Sequence, residues 1–168
     1  MAEIKTLIEG KELKYKGLID IKQLYSTIDQ WFNKHRYDKK EVKNYEFVDE
    51  DSKQIELELR PYKKITDYAK YEIRIEARFT NLKEVEVETK NKIKQKLWKG
   101  QVLMRFTAFF ITDYENAWET KPFYYFVRTL VDKFVYRMYT SKMEDVLVSE
   151  CNESFEEIRS FLNMHRYS

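Results

Sequence analysis

The stretch from Tyr71 to Trp98 constrains the fold more than any other part of the chain. Tyr71-Glu-Ile-Arg-Ile-Glu-Ala-Arg-Phe79 alternates apolar and charged residues without a break. Val85 and Val87 continue the pattern between Glu84, Glu86 and Glu88, and Lys92, Lys94 and Lys96 then alternate with Ile93 and Leu97 nearby. A period of two places the apolar set on one face of a strand and the charged set on the other. Folding the chain about Lys90 sets Glu88 against Lys92, Glu86 against Lys94 and Glu84 against Lys96, with Val87 beside Ile93. Such cross-strand ion pairs favour an antiparallel ladder. Folding about Asn81 sets Ala77 against Val85 and Arg78 against Glu84, at the cost of one unfavourable pair, Glu76 with Glu86. These charge runs read first as a solvated sheet face. The alternative is a phosphate-gripping stripe of Lys92, Lys94 and Lys96, whose field the adjacent glutamates offset.

At 168 residues the chain is long enough for a sizeable core, and we read residues 1–168 as a single domain. Lys and Arg number 31 against 29 Asp and Glu, so the net charge of +2 makes no general case for nucleic acid or an anionic membrane. Three glycines and two prolines leave little room for Gly-rich phosphate loops or flexible linkers. The single cysteine, Cys151, has no internal disulfide partner, which points to a reducing compartment. The opening Met-Ala-Glu-Ile-Lys lacks the apolar core of a signal peptide. No apolar run reaches the roughly 18 residues of a membrane span. The expectation is a soluble, cytoplasmic protein of open oligomeric state.

Taken in order, Glu12–Lys16 reads as a short edge strand ended by Gly17. Asp20 with Gln23 three residues on suits a helix N-terminus, and Ile19 with Leu24 suits a hydrophobic staple. Ile21, Leu24, Tyr25, Ile28, Trp31 and Phe32 give residues 21–36 an amphipathic helical period. Tyr45–Val48 and Ile55–Leu59 read as strands, with Pro61 stopping the second or placing it at an edge. Lys99-Gly100 reads as a turn. Residues 102–111 are apolar at nearly every position, which predicts a strand covered on both faces and lying under a helix. Phe123, Phe126, Val127, Leu130, Val131, Phe134 and Met138 form a stripe on a helix over 121–139. The capping box Ser141-Lys-Met-Glu144 then opens a helix to about residue 164, with Met143, Leu147, Cys151, Phe155 or Ser154, Ile158, Phe161 and Leu162 inward. Phe106, Phe126 and Leu130 are the expected core of this arrangement.

The fold class is therefore α+β: an antiparallel meander of about six strands, plus an N-terminal strand, curled against one or two long C-terminal helices. This order of elements resembles the helix-grip fold of START-like and polyketide-cyclase-like proteins. The resemblance covers nearly the whole chain and rests on element order alone, with Asp49-Glu-Asp-Ser52 where that superfamily has a Gly-rich loop. It implies a sheet wrapped around the last helix, often enclosing an apolar ligand cavity.

Candidate chemistry is sparse. His35 and His165 sit in the matching strings Asn33-Lys-His-Arg-Tyr37 and Asn163-Met-His-Arg-Tyr167. Both strings end a predicted helix, where a cation suits the dipole. No ligand spacing for a metal accompanies them. Cys151 reads as a buried structural thiol, and Asp113, Glu115 and Glu119 read as carboxylates gathered at a helix N-terminus. The Tyr/Arg face made by Tyr124, Tyr125, Arg128, Tyr136, Arg137 and Tyr139, with Trp118 upstream, has the composition of an interface. The expected function is non-enzymatic binding of an apolar small molecule or a partner protein through Trp118, Tyr125, Arg128 and Tyr136. The alternative is nucleic-acid binding across Lys90–Lys99, through Lys92, Lys94, Lys96 and Lys99. An enzymatic role ranks third, and neither a cofactor nor a metal is expected.

Overall fold

A computed structural model of the chain describes residues 2–88, 91–114, 126–127, 130 and 137–164. In chain order these form β1 (Glu3–Ile19), α1 (Ile21–Lys34), β2 (Glu41–Val48), β3 (Lys53–Leu59), β4 (Tyr62–Lys64), β5 (Ala69–Glu88), β6 (Lys94–Thr112) and α2 (Arg137–Met164). The sheet is antiparallel with the order β1-β6-β5-β3-β2, and β4 pairs with β5 off that path. The expected α+β class holds, with α2 packed against the sheet beside α1.

Local chemistry explains the helices. Asp20 caps α1, its Oδ1 accepting from the Gln23 N–H at 3.0 Å. Ile21, Leu24, Ile28, Trp31 and Phe32 then turn one stripe into the core. On α2 the buried residues are Leu147, Cys151, Ser154, Phe155, Ile158, Phe161 and Leu162, the inward set the sequence predicts. They meet Val102, Met104, Phe106, Ala108 and Phe110, which alternate along the inner face of β6. The capping box does not start a helix, because α2 runs unbroken through Thr140 and Ser141. Glu144 instead reaches Lys5 of β1 at 2.7 Å.

The strand boundaries correct several expectations. β1 extends over 17 residues rather than Glu12–Lys16. Neither Asn81 nor Lys99-Gly100 is a turn: β5 and β6 pass through both, and the two sites lie opposite one another. Asn81 adopts φ 54° where the register slips between Thr80 and Lys83, so it is a bulge that bends the long hairpin. Gly100 accommodates it, since a Cβ there would stand 2.8 Å from both the Thr80 carbonyl and Leu82 Cδ2. Two turn signals facing each other across a ladder thus produce a bend. Pro61 does stop β3, and its carbonyl accepts from the Ile73 N–H at 2.9 Å.

The hairpin register is also corrected. Glu88 pairs with Lys94, Glu86 with Lys96 and Val85 with Leu97, two positions away from folding about Lys90. A shift of two preserves the faces, so the acidic and basic residues still share one side. Glu84 and Lys96 remain in contact diagonally, at 3.4 Å.

Burial corrects the 121–139 helix stripe as well. Phe106 is fully buried, but Phe126 is 63% and Leu130 46% exposed. Residues of α1 and α2 cover the inner face of the sheet, where these two were expected to pack. Phe123, Val131 and Phe134 of that stripe lie outside the described residues, and residues 137–139 belong to α2. On β6 the outer side is covered only towards its end. Arg105 is exposed, whereas Thr107 and Ile111 are buried and Arg74 lies over the Phe109 ring. α2 packs against the inner face of β6, with Phe155 edge-on to Phe106, so the strand does lie under a helix on that side.

Candidate functional site

Two arrangements stand out once the sheet is in place, one inside and one at an edge. The inner one gathers around Glu150 of α2. Tyr37, just past α1, donates its hydroxyl to Glu150 Oε2 at 2.6 Å, and Lys63 of β4 donates to Oε1 at 2.9 Å. The Lys63 ammonium also sits 5.2 Å above the Tyr37 ring. Tyr71 of β5 donates to the Met143 carbonyl at 2.8 Å. Burial, then the hydrogen bond and charge of Glu150, push the Tyr37 hydroxyl far above its ordinary range. Burial and the same carboxylate push Tyr71 up to about 12. Burial raises the Cys151 thiol to about 11, with Lys11 partly opposing it. These groups are neutral donors at physiological pH, not activated nucleophiles. Their chemistry is to tie α2, β4 and the segment after α1 together.

His35 belongs to the same region. Its ring stacks on Trp31 at 3.9 Å, and Nδ1 lies 2.8 Å from the Trp31 carbonyl, so that nitrogen carries the proton. Nε2 lies 3.6 Å from Glu153. This is the helix C-terminus expected from the sequence; its counterpart His165 lies outside the described residues. Among the described residues, no group of three or more His, Cys, Asp or Glu is placed to hold a metal ion. No helix among them is long and apolar enough to cross a membrane.

The expected site residues are only partly visible. Trp118, Tyr125, Arg128 and Tyr136 lie outside the described residues, as do Tyr124, Glu115 and Glu119; Tyr139 is exposed. Asp113 is buried at the end of β6, its N–H bonded to the Tyr68 carbonyl. The four lysines do not form one stripe. Lys92 sits in the turn with φ 59°, and Lys94 and Lys96 share one side of the ribbon, opposite Glu88 and Glu86. Lys99 projects from the other side, by strand alternation. Two hollows lined by described residues lie on the outer sheet face. One of about 490 Å3 is bounded by Lys14, Lys16, Arg78, Thr80, Gln101 and Leu103, and one of about 180 Å3 by Lys43, Glu56, Glu58, Glu76 and Arg105.

The edge arrangement is β2. It is the last strand of the sheet path, bonded on one side to β3, and every one of its eight residues is exposed. Val42, Tyr45, Phe47 and Val48 are 42%, 54%, 57% and 75% exposed. Pairing with β3 puts Lys43 opposite Glu58, Tyr45 opposite Glu56 and Phe47 opposite Gln54 on the outer face, leaving Asn44, Glu46 and Val48 on the inner one, with Val42 at the bulge. Glu46 forms an ion pair with Lys53. The opposite edge differs. β1 is broken by register shifts between Thr6 and Lys11, carries Gly10 at φ 57°, and presents alternating lysines and glutamates. Bulges and charges are how sheets blunt an edge against pairing. β2 has no glycine or proline, and its sole irregularity falls at Glu41/Lys43.

Sequence reasoning placed a strand at Tyr45–Val48 but missed its exposure, which depends on β2 being last in the sheet. The signal was present in Val42-Lys-Asn-Tyr-Glu-Phe-Val48, apolar residues on both faces of one strand. The Glu150 cluster was missed because its members are far apart in the chain. A carboxylate next to Cys151, on a helix face turned inward, was the available hint. A scan against protein-family models found no match for this chain, and searches of curated proteins and of solved structures found none either.

Proposed function

We propose that this protein is a non-enzymatic protein-binding module that takes an extended segment of its partner as an added strand along β2. One observation carries the reading. An eight-residue edge strand leaves a row of backbone donors and acceptors unpaired, flanked by four exposed large apolar side chains. Strand addition supplies both needs at once: ladder hydrogen bonds give affinity, and alternate side chains give specificity. The apolar-ligand reading has less support, because Phe79, Phe106, Phe155 and Leu162 fill the space between sheet and helices. The nucleic-acid reading has less as well, since Lys94 and Lys96 face glutamates and Lys99 points the other way. The pairing of β1 with β6 and the long final helix favour the helix-grip likeness as the fold family. A photo-crosslinking residue at Tyr45 tests the proposal in the native cell. Adducts should form at position 45, vanish with Val48→Lys, and be missing when the probe stands at Ile93. Equal labelling at 45 and 93, or none at 45, refutes it.

A further inference from the structure

We infer that the strand received by β2 is β2 of a second copy of this chain, in an antiparallel register centred on Tyr45. The inference rests on the reading of β2 as a docking strand and names its occupant. Residues directly opposite in an antiparallel pair share a face, so a two-fold symmetric β2–β2 pairing must centre on one residue. The side chains discriminate among the choices. Centring on Lys43 puts two lysines face to face, and centring on Glu46 does the same with two carboxylates. Centring on Asn44 sets Val42 against Glu46 and Phe47 against Glu41. Centring on Tyr45 stacks the two Tyr45 rings and sets Val42, at the bulge, against Val48, Lys43 against Phe47 on the outer face, and Asn44 against Glu46. Across residues 42–48 that register has no like-charge pair and no apolar side chain facing a carboxylate. It matches apolar with apolar, an ammonium with an aromatic ring, and an amide with a carboxylate that accepts its hydrogen bond.

Among the registers that pair more than half of the strand, it is thus complementary to itself in one. A generic sticky edge would tolerate several. The other edge, β1, is bulged and charged, so pairing closes at two copies instead of extending into a filament. The joined sheet runs continuously from one β1 to the other.

The experiment is sedimentation velocity of the whole protein from low to high micromolar concentration, for the native chain and for Phe47→Lys and Val48→Lys. A dimer that both substitutions shift to monomer supports the inference. These side chains are exposed, so an unchanged thermal midpoint shows that the fold survives each change. A cysteine scan then reads the register. Tyr45→Cys brings two sulfurs across the two-fold axis within disulfide reach. Lys43→Cys leaves its copy about 13 Å away along the strand. Cys151 is fully buried and stays out of the reaction. Mild oxidation should link Tyr45→Cys into a covalent dimer and leave Lys43→Cys monomeric. A dimer unaffected by the lysine substitutions, or linked by Lys43→Cys instead, overturns the inference. So does a monomer throughout; in that case adducts at position 45 in the cell show whether β2 still docks a different protein.

Discussion

Removing the Glu150 carboxylate tests whether the inner cluster is a clamp. Glu150→Ala leaves the Tyr37 hydroxyl, on a residue 3% exposed, without its acceptor. A buried donor stranded in this way costs about 1–3 kcal/mol. Lys63 loses its partner too, but its side chain is 22% exposed and can turn to water, so the lost ion pair adds about 1 kcal/mol at most. The expected destabilisation is about 1–4 kcal/mol, measured by urea unfolding followed through Trp31, whose ring lies 6.3 Å from that of Tyr37. The second arm is more diagnostic. Removing both members of a buried hydrogen bond is nearly neutral compared with removing one. Tyr37→Phe should therefore restore about 1–2 kcal/mol in the Glu150→Ala background, although alone it is destabilising. A Glu150→Ala cost below about 0.5 kcal/mol, or strictly additive effects of the two changes, would refute the clamp.

Three further outcomes are expected. Tyr71 and Tyr25 have hydroxyls raised to about 12 from an ordinary value near 10, and Tyr37 is raised further. Between those values the unfolded chain has lost protons that the native state keeps. Stability is therefore fully present below about pH 10 and falls above it, by up to roughly 1.4 kcal/mol per pH unit for each tyrosine. Denaturation profiles flat from pH 9 to 12 would contradict this. Gly100→Ala forces a Cβ to 2.8 Å from the Thr80 carbonyl and Leu82, and should cost about 1–3 kcal/mol in chemical denaturation; a neutral result would mean the bend at Asn81 gives way. Lys96→Glu sets a carboxylate opposite Glu86 and beside Glu84 on an exposed ribbon. It should destabilise by less than about 1 kcal/mol, and raised salt should erase the difference; an effect that persists at high salt would point to packing instead.

The elements of this fold were more legible in the sequence than their limits or neighbours. The α1 cap and the inward residues of α2 follow from local chemistry, because spacing within one helix decides both. Period-two alternation likewise identified the strands from Tyr71 to Val87 and the partnership of acidic with basic residues. Alternation cannot count residues through a turn, and so the 88/94 register came out two positions away while the faces stayed right. Asn81 and Gly100 are turn formers when read singly. Only their position opposite one another makes them a bulge and its accommodation. Phe126 and Leu130 show the limit of helical periodicity: it finds a stripe, but not whether any surface is left for that stripe to cover. The exposure of β2 and the meeting of Tyr37, Lys63 and Glu150 depend on which strands become neighbours, and no local pattern encodes that.

Amide hydrogen exchange along β2 tests the central claim most directly. In the free protein the N–H groups of residues 41–48 that point away from β3 exchange with solvent. On assembly those alternate amides should become protected, while the outward amides of β1 keep their rates. Complex formation that leaves every β2 amide exchanging as before, or that protects β1 instead, would contradict strand addition at this edge.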